Sequence, residues 1–192
     1  EPALARSQIA LAGGTYTPDD ESGDAHAFTE MLAHRCRERG VAFRFGARVS
    51  GLAGTSSRID ALQLADGTQV SGDLFVLALG SQTPLLLRGA GLRVRMPIYP
   101  AKGYSLTYAL KGIGTAPVVS LTDDEHKLVV SRLGDRLRVA GTAEFCGYDD
   151  SINPGRIAAM KRRIGDLLPD CTQAVPAETW AGLRAEDRIV LR

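Results

Sequence analysis

Six consecutive apolar residues, Leu74-Phe75-Val76-Leu77-Ala78-Leu79, end abruptly at Gly80. A run of that length with no polar interruption predicts a strand buried on both faces, and such strands belong to sheets covered by helices. The closing Gly marks a place where a ligand can approach backbone. The run is far shorter than the roughly 18 residues that span a bilayer, and no basic-then-apolar leader opens the chain. The expectation is a core strand in a soluble, unexported protein.

The segments around this run predict a mixed α/β chain (α+β). Residues 13–23 are rich in Gly, Thr, Asp and Pro and read as a loop. A helix follows, capped by Ser22 or Asp24, with Phe28, Leu32 and Cys36 four apart, Met31 beside them and Gly40 at its end. Val41, Phe43 and Phe45 alternate as a short strand. Residues 59–64 and 68–70 read as a hairpin around Asp66-Gly67, a type I′-like turn.

After Gly91 the texture becomes β-rich, with strands expected at 94–98, 104–110 and 118–121. Residues 127–133 and 136–142 form a second hairpin around Gly134-Asp135, which suits a type II′ turn. Asn153 caps and Pro154 opens a second helix whose Ile157, Met160, Ile164 and Leu168 keep helical spacing until Pro169. The stretch 172–183 reads as loop with a candidate strand. A soft boundary near 84–91 separates an α/β portion from a β-rich portion with one helix.

Composition narrows the function. With 192 residues, 44% of them hydrophobic, the chain can fill a core. Its 23 basic and 22 acidic side chains leave a net charge of +1, which argues against a nucleic-acid partner. Cys36, Cys146 and Cys171 are too scattered for a disulfide framework or a metal-ligand spacing, so a reducing interior is expected. The chain starts at Glu1 without Met and stops just after the apolar residues 189–191, which predicts a piece of a longer protein.

Several motifs are absent. The nearest strings to G-x-G-x-x-G are Gly112-Ile113-Gly114 followed by Pro117, and Gly89-Ala90-Gly91 followed by Val94; neither lies between a buried strand and a helix. G-x-S-x-G, H-E-x-x-H and C-x-x-C do not occur, so serine hydrolase and zinc enzyme lack support, and no metal site is expected. His26 and His34, about 12 Å apart along one helix, read as surface residues. His126, in the acidic run Asp123-Asp124-Glu125, reads as part of a solvated turn, and Lys161-Arg162-Arg163 as an exposed charged face.

Two strings stand out. Lys102-Gly103-Tyr104-Ser105 is a Gly-hinged strand entry that places a Tyr either beside a ligand or in the core. Trp180-Ala181-Gly182-Leu183-Arg184 supplies an Arg, the side chain that grips a carboxylate with two parallel hydrogen bonds.

An ordered set of strings carries a family resemblance. It comprises Gly13-Gly14, Pro18-Asp19-Asp20-Glu21-Ser22-Gly23-Asp24 with Phe28, Phe43-Arg44-Phe45, and Val76-Leu77-Ala78-Leu79-Gly80-Ser81. It continues with Tyr99-Pro100-Ala101-Lys102-Gly103-Tyr104-Ser105-Leu106-Thr107, Arg138-Val139-Ala140-Gly141-Thr142-Ala143-Glu144, and Trp180-Ala181-Gly182-Leu183-Arg184. Together, across nearly the whole chain, they resemble the small subunit of D-amino acid dehydrogenase.

The resemblance implies an FAD-dependent fold, with residues 1–84 as part of an FAD-binding domain and 85–192 as a β-rich substrate-binding domain with one helix. In such proteins the G-x-G-x-x-G unit lies upstream of the position of Glu1, and the stretch that closes over the flavin lies downstream of Arg184. By resemblance, Arg184 pairs with the substrate carboxylate, and Tyr104, as a substrate-binding residue, sits in the strand that walls the substrate side of the flavin. Val49 packs near the adenine, and Ala78 and Gly80 bring backbone to the FAD. The family usually continues past Gly-Leu-Arg with Pro and a Thr-Pro-Asp-Gly-like segment, where this chain has Ala185-Glu186-Asp187-Arg188.

The implied reaction passes hydride from the α-carbon of a D-amino acid to flavin, so the protein mainly orients and no acid–base pair need stand out. The product imine hydrolyses to a 2-oxo acid, and the electrons pass to an acceptor such as a quinone chain. A cytoplasmic place, peripheral at the inner face of the membrane, follows from that acceptor. Related amine or imino acid oxidoreductases of the same fold stay open as alternatives. So does a non-catalytic ligand-binding or interaction module, or a remnant that folds and binds nothing.

Overall fold

A computed structural model describes residues 1–55, 57–110, 114–173, 176 and 178–186. The Gly112-Ile113 pair, Asp187-Arg188 and the apolar residues 189–191 lie outside the described residues. The elements in chain order are α1 (Ala25–Glu38), β1 (Val49–Gly54), β2 (Ile59–Leu64), β3 (Gln69–Ser71), α2 (Thr83–Gly89), β4 (Tyr99–Ala109), β5 (Leu121–Asp123), β6 (Leu128–Leu133), β7 (Arg136–Glu144), α3 (Pro154–Leu167) and β8 (Glu178–Glu186). The mixed α/β expectation holds. Contacts divide the chain into one unit of Glu1–Met31 with Ala101–Leu183, and a second of Leu32–Pro100 with the chain from Arg184 onward.

The first unit is built on a five-stranded sheet in the order β5-β6-β7-β4-β8. The β6–β7 hairpin turns through Gly134, whose φ is +63° while that of Asp135 is not positive, as a type II′ turn requires. Alternate residues Tyr104, Leu106 and Tyr108 of β4, with Leu128, Val130, Leu137 and Val139, are buried in one core. Helix α3 closes that core with Ile157, Met160, Ile164 and Leu167. Its start follows from local chemistry: the Asn153 side chain accepts from the Gly155 N–H at 3.0 Å, and Pro154 occupies the first turn.

The second unit carries the antiparallel meander β1-β2-β3. Its tight turn differs from the type I′-like form. The Gly67 N–H donates to the Leu64 carbonyl at 3.0 Å, so Ala65-Asp66 are the central residues, and only Gly67 is left-handed, at φ +86°. This is a type I turn followed by a bulge Gly.

Four expected strands are not formed. Residues 74–79 run without a ladder partner, and Leu74 and Val76 are 83% and 80% exposed. A strand buried on both faces needs neighbours at both edges, and the described residues place none there. Phe43 and Phe45 stack with their ring centroids 5.6 Å apart, under the Arg37 guanidinium, in place of a strand. Residues 94–98 are irregular up to Tyr99, and residues 118–120 up to Leu121. Helix α1 forms where its Asp24 cap and Gly40 stop place it, but Phe28, Met31 and Leu32 of its apolar stripe are exposed.

Candidate functional site

The best-connected polar cluster lies at one end of the β4–β7 pair, within the first unit. Along β4, Lys102 and Tyr104 share a face with the core residues Leu106 and Tyr108. The register pairs Leu106 with Val139, Tyr104 with Gly141, Gly103 with Ala143 and Lys102 with Glu144. Thr142 is therefore the extra residue of a β-bulge. Unbroken alternation would bring Ala143 to the face of Lys102 and Tyr104; the extra residue gives that place to Glu144.

Glu144 is the hub. Its Oε2 accepts a short hydrogen bond from the Tyr104 hydroxyl and lies 3.3 Å from Lys102 Nζ. Its Oε1 accepts from Asn153 Nδ2 at 3.4 Å and lies 3.6 Å from Arg156 Nε. Lys102, only 2% exposed, also donates to Asp149 Oδ2 at 3.2 Å and to the Ser151 carbonyl at 2.9 Å. The ammonium's three donors thus have three oxygen partners, which is what a buried lysine requires. Asp149 is held in turn by the Ser151 hydroxyl and N–H, each at 3.0 Å.

The electrostatics follow the geometry. The Tyr104 hydrogen bond, opposed by partial burial and assisted by Lys102, holds the Glu144 carboxyl below its ordinary value. Hydrogen bonds from Ser151 and Lys102 do the same for Asp149. Burial pushes the Tyr104 phenol up, and its bond to Glu144 adds to that. For Lys102, burial pulls downward but is outweighed by Cys146, Asp149, Tyr104 and Glu144, so the ammonium is held charged beyond its ordinary range.

A pH dependence follows, with opposite signs at the two ends. The depressed carboxylates contribute stability above their ordinary values and lose it as pH falls through the depressed ones, while the raised lysine contributes in full below its ordinary value and loses this as pH rises from there through the raised one. Acid titration followed by circular dichroism is expected to loosen the fold below about pH 4, with no matching loss between pH 8 and about 10. Glu144→Gln shallows the acid slope; an unchanged slope would exclude Glu144 as a contributor.

The residues singled out from sequence fall as follows. Tyr104 is 2% exposed, its ring in the core and its hydroxyl on Glu144. Arg184, on β8 and in the second unit, is largely exposed, and its Nε donates to Glu186 Oε1 at 2.7 Å. Val49 opens β1, half-buried and paired with Leu64. Ala78 is exposed in the irregular 74–79 segment rather than at a strand end. Gly80, also exposed, begins the short turn Gly80–Gln82 at φ +53°. A Cβ there would meet the Ala185 side chain at an ordinary 3.7 Å, so space remains beside its backbone.

Lys102 stood out only as part of a Gly-hinged strand entry, whereas the structure puts Gly103 inside β4 at the bulge. Glu144 and Thr142 had no signal beyond their place in the family strings, and Asp149 had none. His26 and His34 pair with Glu30 and Glu38 along the surface of α1, as expected. Arg163 departs from the exposed-face reading: it is half-buried and donates to Asp123 Oδ2 at 2.6 Å and Glu125 Oε2 at 3.1 Å. Its guanidinium thereby sits on both carboxylates of the Asp123, Glu125 and His126 cluster.

The family model described as FAD dependent oxidoreductase matches residues 1–191, and the chain belongs to that FAD-dependent family. It is 51% identical over 184 residues to a D-amino acid dehydrogenase of Paramagnetospirillum magneticum, and 48% over 188 residues to one of Dechloromonas aromatica, each alignment covering 96% of this chain. The chain spans 43% and 44% of those two curated relatives. Among solved structures it is similar in fold to glycine oxidase from Bacillus cereus, with a TM-score of 0.69 at 21% identity over 82% of this chain and 43% of the oxidase. L-proline dehydrogenase from P. horikoshii gives a TM-score of 0.68 at 17% identity over 81% of this chain and 42% of that one. Among the described residues no helix is long and apolar enough to cross a membrane.

Proposed function

We propose that this chain is the central part of an FAD-dependent enzyme that oxidises D-amino acids to 2-oxo acids. The observation that carries the reading is its near-half identity, over almost its whole length, to proteins named D-amino acid dehydrogenase. Residues 1–84 then contribute to the FAD-binding domain and residues 85–192 to the substrate-binding domain.

The chain's own residues fit part of an FAD site. The exposed backbone at Ala78 and Gly80 and the half-buried Val49 are the positions that would hold the cofactor. A Gly-rich phosphate cradle is not in the sequence. FAD, when bound, supplies the hydride acceptor. Arg184 binds the substrate carboxylate in the place that Glu186 takes here, and so sets which face of the α-carbon is presented. Tyr104, its ring in the core and its hydroxyl on Glu144, anchors the strand that walls the substrate side. Electrons leave to an acceptor such as a quinone chain, which suits a cytoplasmic protein at the inner membrane face and a role in amino acid catabolism.

The test compares two preparations. The full-length protein is expected to be yellow and to reduce a dye with D-alanine, whereas residues 1–192 alone are expected to bind FAD weakly and turn over nothing. A full-length protein that binds FAD but ignores every D-amino acid would favour another amine or imino acid substrate.

A further inference from the structure

We draw no further inference here: the strongest candidate, the unpaired apolar segment of residues 74–79 in the second unit, whose Leu74 and Val76 are 83% and 80% exposed, carries nothing because nothing in the structure shows what covers it.

Discussion

Replacing Arg184 by Ala in the full-length protein is expected to lower kcat/KM for D-alanine by about 100-fold or more. The side chain is exposed on β8 with its guanidinium on a carboxylate, that of Glu186, and in the proposed function it holds the substrate carboxylate in the same way. Truncating one partner of a hydrogen-bonded charge pair costs about 2–5 kcal/mol in complexes, and each 1.4 kcal/mol is roughly tenfold. Arg184→Lys recovers only part of the loss, because an ammonium keeps the charge without the planar fork. Steady-state kinetics with a dye acceptor decide the matter, and an alanine variant with wild-type KM would remove Arg184 from the substrate site.

Ile164→Ala is expected to destabilise the chain by about 2–5 kcal/mol, with Ile164→Val costing about 0.5–1.5 kcal/mol. Ile164 has no exposed surface and lies where α3 covers the sheet, beside Met160 and Leu168 in the same core. Deleting its outer carbons leaves a cavity that a helix capped by Asn153 and ended at Pro169 cannot easily close. Urea unfolding followed by circular dichroism measures both variants. Equal midpoints for wild type and alanine would mean that α3 does not close the core.

The elements legible in the sequence are those whose causes are local. Helix α3 was readable end to end, since Asn153, Pro154, four apolar residues at helical spacing and Pro169 all act within a few turns of one another. The hairpins were readable for the same reason, with a one-residue error at Gly67 that the i to i+3 hydrogen bond corrects. The segments at 41–45, 74–79, 94–98 and 118–120 carried apolar or alternating patterns, but a strand exists only when another strand accepts its hydrogen bonds. The opposite case is β4, where the polar Ser105 and Thr107, on the face away from Tyr104 and Leu106, are buried as well.

By itself the sequence determined the caps, the turns, the mixed α/β character and the ordered strings that mark an FAD-dependent oxidoreductase. Each depends on residues near one another in the chain, or on a pattern that can be matched without coordinates. Tertiary structure alone decided that Lys102 is buried against Glu144 and Asp149, that Arg163 sits on Asp123, and that Thr142 is the residue left over when β4 and β7 pair. Those partners are about forty or more residues apart, and no local preference favours their meeting. Once two strands align, one extra residue decides which side chains face each other, and a charge that is buried must be met by its opposite.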